Sequence, residues 1–430
     1  MTQTPRQACI VAVGSEVVQG YVVNTNAAWL AQELAGLGWD VVRHEAVTDR
    51  EADITHAVKA ALEAGLLVVV CGGIGPTVDD RTRQAAAAAL GLPLRLDHDD
   101  LARLQERYSA AGRRFPEGSE IQCMRPEGAR LVPNAFGTAS CFLARHANSG
   151  LCVLPGVPRE LKGIWAEEMR AALVEEFGVQ APLFARELKC FGLPESDLNN
   201  RVRHLLEDPR AEGAILVDDA VIRLRWRAAA QDQAAADQVL EPLVAEAAQL
   251  LGDLVIGTGD VTLEQVTVQA LRERGLRVAL AESCTGGMVA HLLTNVPGSS
   301  DVLLESCVVY ANEAKQRRLG VKPETLAGQG AVSEAAVLEM LQGLNATGAQ
   351  LRLAVSGIAG PGGGTPEKPV GTVWLAAGMG DTARAWRLRV PGDRELVKWR
   401  SARAALNTLR LAALHNRLPE HPAQWFTPPV

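Results

Sequence analysis

Apolar positions along this chain switch between two periods. Runs at residues 8–13, 66–71 and 151–154 are apolar without a break, as strands of a parallel sheet covered on both faces are, and residues 39–43 supply a further strand. Between them, Trp29, Leu30, Leu34 and Leu37 recur at helical spacing on a helix beginning near Asn26, and residues 54–62 predict a second helix. The pattern changes after Phe184. Residues 186–191 predict a strand, 196–206 a helix, and 230–251 an alanine-rich helix. In the strand predicted at 221–227, Ile222, Leu224 and Trp226 alternate with Arg223, Arg225 and Arg227, the mark of a half-covered antiparallel sheet. Buried strands return at 276–281, 302–311 and 351–356, with helices at 288–293 and from Asn312 to Gly320. The expected fold is α/β: two three-layer α/β domains, 1–172 and 258–418, joined by a small α+β module at 173–257, with an irregular proline-containing tail at 419–430.

The chemistry gathers where strands are predicted to stop. Ser283, in Ala281-Glu-Ser-Cys-Thr-Gly-Gly287, falls at a strand-to-helix turn whose backbone N–H groups, from Cys284 to Gly287, are expected to face outward and hold a developing oxyanion. Asn312 is a good N-cap and Gly320 a good C′ residue, which places Lys315 in the first helical turn. There the helix dipole and burial both favour the neutral amine that a general base for serine requires. The alternative is a solvated surface lysine. A glycine-rich stretch, Gly357 to Gly364, follows the strand ending at Ser356; it suits a phosphate or ribose, and it equally suits a plain turn. Ligands of open α/β sheets bind beyond the carboxyl ends of the strands, so Ser283, Lys315 and Ser356 to Gly364 are expected to share one crevice. Arg394 either supplies a fork for an anionic group or is an ordinary surface arginine. Cys284 and Ser356 stand as competing nucleophiles, although neither has a histidine or lysine beside it in the sequence.

In the first region, Gly72-Gly-Ile-Gly-Pro-Thr-Val-Asp-Asp80 follows a strand. Its glycines can approach a diphosphate, Thr77 can donate, and Asp79 with Asp80 can hold a divalent cation; the alternative is that the two aspartates cap the next helix. Glu16 and Asn24 to Asn26 lie at another predicted strand exit, and Pro155 and Pro158 fix a third such turn before Glu160.

Residues 281–287, 310–315, 330–333, 356–361 and 368–373 closely resemble nicotinamide mononucleotide deamidases of the PncC type. The resemblance implies Ser283 as nucleophile and Lys315 as base, with no cofactor in this domain, and a mononucleotide site lined by Thr285, Gly286, Gly287, Tyr310, Ser356, Gly357, Gly360, Pro361 and Arg394. Residues 14–26, 72–82 and 155–160 resemble the molybdopterin-binding-like domain of the CinA family, so the whole chain looks like a full-length member. That resemblance implies a metal-dependent ADP-ribose pyrophosphatase using magnesium, cobalt or manganese. Asp79 and Asp80 would hold the metal. Glu16, Asn24, Asn26, Gly72, Gly73, Gly75, Pro76, Thr77, Pro155 and Gly156 would hold ADP-ribose. Ser15 and Cys71 depart from the family pattern, which has threonine there. A KH-like module and a homodimer are further implications. The middle region lacks the Gly-x-x-Gly grip of a KH domain, which favours a structural connector over an RNA-binding module.

Composition narrows the remaining choices. A formal net charge of -7 argues against a large nucleic-acid footprint. The eight cysteines are scattered without Cys-x-x-Cys pairs, and the eight histidines show no His-x-x-x-His spacing, so zinc and disulfide frameworks are not expected. No apolar run approaches the ~20 residues of a membrane span, and the first residues lack a signal core, so a cytoplasmic protein with reduced thiols is expected. The competing reading is a non-catalytic nucleotide sensor acting as an adaptor in DNA uptake or repair.

Overall fold

The unbroken apolar runs are the innermost strands. In the computed structural model, which describes residues 6–147, 149–178, 181–423 and 426, the chain divides into two units. The first runs to residue 184 and takes in 228–238; the second comprises 185–227 and everything from 239.

The first unit contains β1 (Arg6–Val13), β2 (Trp39–Val47), β3 (Leu67–Cys71), β4 (Leu94–Leu96), β5 (Met124–Pro126), β6 (Arg130–Val132), β7 (Cys141–His146) and β8 (Ser149–Leu154). Six of these form one sheet in the order β2-β1-β3-β8-β7-β6, and β4 with β5 forms a separate ribbon. β2, β1, β3 and β8 run parallel, while β7 and β6 return antiparallel. β3 and β8 are buried along their whole length, as their lack of polar alternation requires. The helix predicted near Asn26 spans Thr25–Ala35, because Asn24 caps it by accepting from Ala27 N at 3.0 Å.

The second unit has two sheets. β9 (Leu183–Phe191), β10 (Glu212–Asp218), β11 (Val221–Ala229) and β12 (Val255–Thr258) form an antiparallel sheet ordered β10-β11-β9-β12. On β11, Ile222, Leu224 and Trp226 are buried, and the indole of Trp226 donates to Leu205 O at 2.8 Å. The opposite face is not an open basic strip, since Arg223 meets Glu187 at 3.8 Å and Arg227 meets Glu212 at 2.6 Å. The alanine-rich helix starts at Gln233 rather than 230, because Ala230 N is still bonded to Pro182 O.

The other sheet holds β13 (Val278–Glu282), β14 (Leu303–Val308), β15 (Leu351–Gly357), β16 (Thr372–Met379) and β17 (Thr382–Arg389), ordered β14-β13-β15-β16-β17. β14, β13 and β15 are parallel and adjacent, and β16 and β17 are antiparallel. Phe191, Ala220 and Ile256 of the middle region join the same hydrophobic core as this sheet and the helix Arg394–His415. The expected irregular tail also packs into that core: Phe426 is buried edge-on against Phe191, and Pro422 O accepts from Asn407 Nδ2 at 2.6 Å. Apolar residues at 423 and 426 outweigh the prolines around them.

Candidate active sites

Ser283 stands one residue past β13, Lys315 on the helix Asn312–Leu319 after β14, and Ser356 at the end of β15. Three neighbouring parallel strands therefore deliver them to one edge of the sheet, where a crevice of about 270 Å³ is lined by Ser283, Tyr310, Lys315, Ser356 and Arg394 among others. Lys315 Nζ lies 3.0 Å from Ser283 Oγ. It also bonds Val309 O at 2.9 Å and Tyr310 O at 3.1 Å. Lys315 is 1 % exposed and Ser283 7 %, so the pair is shielded while its hydroxyl still touches the crevice. Burial holds the amine below the ordinary lysine range. The helix begins one residue earlier than predicted: Ala311 occupies the N-cap position, and Asn312 lines the crevice.

Sequence reasoning missed Glu282. This carboxylate, 0 % exposed, accepts from Thr285 Oγ1 at 2.7 Å and from the amides of Gly287, Val289 and Ala290 at 2.9–3.1 Å. From the end of β13 it thereby satisfies N–H groups that open the helix Met288–Thr294 and have no partner within the helix. The oxyanion expectation is corrected accordingly. Gly287 N is taken by Glu282 and Gly286 N by Ser283 O, and of the four residues of this turn only Cys284 lines the crevice. Thr285, Gly286 and Gly287 do not line the crevice; they shape the turn, the two glycines at φ 65° and 95°. An acidic residue directly before a Ser-x-x-Gly-Gly turn was the available signal, since its spacing matches an N-terminal anion site.

Ser356 lines the crevice, but its hydroxyl donates to Ala331 O at 2.7 Å and has no base beside it. Cys284 also touches the crevice, and burial pushes its thiol up to about 12, so it stays protonated and is no thiolate nucleophile. Arg394 is no plain surface residue: its guanidinium donates to Gly360 O and to Tyr310 Oη, both at 2.6 Å, tying the glycine-rich loop to the rim. Gly357 and Gly360 line the crevice and Pro361 does not; the Gly360–Pro361 peptide is cis.

In the first unit a larger crevice, about 560 Å³, opens at the carboxyl ends of β1, β3 and β8. Glu16, Asn24, Asn26, Gly72, Gly73, Gly75, Asp79, Asp80, Pro155 and Gly156 line it, and Pro76 and Thr77 do not. Asp49, which the sequence did not single out, also lines it and accepts from Ser15 N at 2.9 Å and Ser15 Oγ at 2.6 Å. The helix-cap alternative for the aspartates fails. Arg81 precedes the helix Thr82–Leu90 without a side-chain cap, while Asp80 Oδ2 accepts from Thr77 N and Thr77 Oγ1 within its own loop. Gly72 answers first to packing: at φ 107° a β-carbon there would lie 2.3 Å from Val13 O. Asn24 spends its side-chain oxygen on the helix cap, and Asn26 donates to Gly156 O at 2.7 Å, so both brace the crevice from within. Among the described residues no three metal-binding side chains cluster. Asp79 and Asp80 match the donor set of a hard divalent ion that takes one or two carboxylates and completes its shell with phosphate oxygens and water.

These features define an α/β protein with a ligand-sized crevice beyond the parallel strands of each large sheet. Comparison with known proteins gives the lineage. Residues 9–175 match the family described as "Probable molybdopterin binding domain", 185–257 "Damage-inducible protein CinA KH domain", and 260–413 "CinA C-terminal domain". A "CinA-like protein" of Anaeromyxobacter sp. (strain Fw109-5) is 40% identical over 413 residues, 95% of this chain and 99% of the relative. Another, from Geobacter sulfurreducens, is 39% identical over 93% of this chain and 97% of its own length. A solved CinA superfamily protein from Klebsiella pneumoniae is 40% identical, covers 36% of this chain and 96% of its own, and has a TM-score of 0.35. The chain belongs to the CinA family. No helix of the described residues is long and apolar enough to cross a membrane.

Proposed function

We propose that the crevice after β13 hydrolyses the carboxamide of nicotinamide mononucleotide to nicotinic acid mononucleotide and ammonia. The observation that carries this reading is the buried 3.0 Å contact between Lys315 Nζ and Ser283 Oγ. A neutral amine has two N–H groups, which donate to Val309 O and Tyr310 O, and its lone pair is left for the serine proton. As Ser283 Oγ attacks the carboxamide carbon, Lys315 takes that proton, and the Cys284 amide receives the developing oxyanion. Collapse breaks the C–N bond, and the proton on Lys315 leaves with ammonia. Water, deprotonated by the same amine, then releases the acid and restores Ser283. Purified protein is expected to release ammonia from the mononucleotide, and Ser283→Ala to abolish release; substantial residual release from the variant overturns the assignment.

A second reading concerns the crevice of the first unit, which gathers ten of the residues expected to hold ADP-ribose or its metal. We infer that it binds ADP-ribose and cleaves the diphosphate with a divalent ion held by Asp79 and Asp80. The ion supplies charge neutralisation at the diphosphate, while Asn26 and Gly156 brace the wall of the site. AMP release from ADP-ribose in the presence of magnesium, cobalt or manganese tests this. Tight binding of both ligands with turnover of neither supports the sensor reading instead.

A further inference from the structure

The helix Arg394–His415 brings Arg394 to the Ser283 crevice, and its other end lines a cleft of about 330 Å³, within the range of small-molecule sites. The two share no lining residue, and the 22 residues of the helix put roughly 30 Å between its ends. All walls of the cleft come from the second unit. β9 ends there at Phe191, the helix Glu195–Leu206 contributes Arg201, and the exit of the helix Gln233–Leu251 contributes Leu251 and Asp253. Leu411 and His415 follow from the long helix, and residues 417 and 419–423 from the segment after it. Phe191, Leu251 and Leu411 are buried, which gives the cleft an apolar part.

Its charges are not balanced. His415 Nε2 meets Asp253 Oδ2 at 2.8 Å, so that carboxylate already has a partner. Next to the cleft Arg410, 3 % exposed, donates to Asn407 Oδ1, Val255 O and Asp253 O, none of them a carboxylate oxygen. A guanidinium buried on neutral acceptors keeps a positive charge that its own bonds do not cancel. Arg201 and Arg417 line the cleft and are exposed, and among the described residues neither has a hydrogen bond or an ion pair. Glu420 is the one lining carboxylate that no cation holds among the described residues.

We propose that this cleft is a further small-molecule site, for an aromatic-bodied phosphomonoester of the nucleoside monophosphate class. Arg201 and Arg417 take the phosphate, whose oxygens their planar forks match, and the flat body lies on Phe191, Leu251 and Leu411. The apolar part alone would suit a neutral ligand, and the guanidiniums alone a free anion. Together they select an anion that carries an apolar body.

The test is a calorimetric titration of the full chain, in metal-free buffer, with AMP, adenosine and inorganic phosphate, read alongside amide hydrogen exchange. AMP is expected to bind more tightly than either adenosine or phosphate and to slow exchange at residues 251–254 and 417–423. Combining Arg201→Met with Arg417→Met, both at exposed positions, should weaken AMP roughly 10- to 100-fold, the worth of one charge-assisted hydrogen bond, and bring it to the level of adenosine. Ammonia release should be unchanged in that variant, since neither arginine lines the Ser283 crevice. AMP affinity that ignores both substitutions overturns the proposal, and so does protection confined to the other two crevices, a reading that needs no variant. Phosphate binding as tightly as AMP would reduce the cleft to a plain anion trap and overturn the ligand class.

Discussion

The two crevices occupy equivalent places, beyond the carboxyl ends of adjacent parallel strands, yet they are finished to different degrees. The one after β13 contains the proposed reactive pair in contact, Ser283 and Lys315, enclosed by burial. The one after β1, β3 and β8 is twice as roomy, about 560 against 270 Å³, and its polar groups are bonded mostly to each other: Asp49 to Ser15, Asp80 to Thr77, Asn26 to Gly156. A site whose chemistry is built from side chains is ready before substrate arrives. A site whose side chains brace one another relies on what the ligand and a metal ion bring.

The sharpest way to break this contrast is to remove the pair. Lys315→Met or Ser283→Ala is expected to lower kcat for the mononucleotide about 10⁴-fold, and the double variant by little more, because the two act as one unit. Additive losses in a steady-state comparison would mean the two side chains work independently. At the other crevice, Asp79→Asn should lower metal-dependent AMP release about 100-fold without moving the melting temperature, because Asp79 is exposed. Asp80→Asn should lower both, since its carboxylate also fixes the loop through Thr77 N and Oγ1. Equal melting behaviour of the two variants would remove that distinction.

Glu282 explains why part of the C-terminal site was not legible. Strand ends, the serine turn and the lysine helix follow from local pattern, and the coarse α/β layout follows from apolar runs. A carboxylate between a strand and a turn reads as solvent-facing on the same grounds. Its burial is imposed by four donors that only the folded turn assembles. The glycines at 72 and 286 carry a backbone demand that the sequence pattern does not separate from a ligand cradle: close packing and positive φ require Gly72, and Gly286 stands at φ 65°. Glu282→Gln places an N–H₂ group among N–H donors, with an expected cost of ~1–3 kcal/mol in stability. The kcat for amide hydrolysis should fall tens-fold with KM nearly constant, because the turn loosens where the nucleophile sits. A change in KM alone would assign Glu282 to substrate binding instead.

The pH response is a finer probe of the same pair. In the proposed mechanism Lys315 acts as the free amine, and burial lowers its pKa from 10.5. Below that lowered pKa it is an ammonium ion, so kcat/KM should fall about tenfold per pH unit on the acid side and level off before the ordinary lysine range. Between the folded and unfolded pKa values the unfolded chain binds the extra proton, so this group makes stability rise with pH there. A limb centred at 10.5 in the kcat/KM profile would show a lysine open to water. Among the described residues that line the first crevice there is no lysine, so AMP release should lack this limb.

The smallest expected effect concerns Ser15 and Cys71, where the resemblance implied threonine. Ser15 meets Asp49 through its amide at 2.9 Å and its hydroxyl at 2.6 Å, and threonine carries the same two donors. Ser15→Thr should therefore change AMP release by no more than about twofold, while Ser15→Ala, which strips one of the two bonds from a carboxylate on the crevice wall, should lower it several-fold. Cys71 is a different case. It is buried in β3 with its thiol pushed up to about 12, and it acts as a small apolar filler. A threonine there would need a partner for its hydroxyl among the strands. If Ser15→Thr raised turnover strongly, the hydroxyl count would be the wrong measure of this wall, and the methyl group, through packing against the apolar residues Val13 and Val17 of the same crevice, would be the feature that matters.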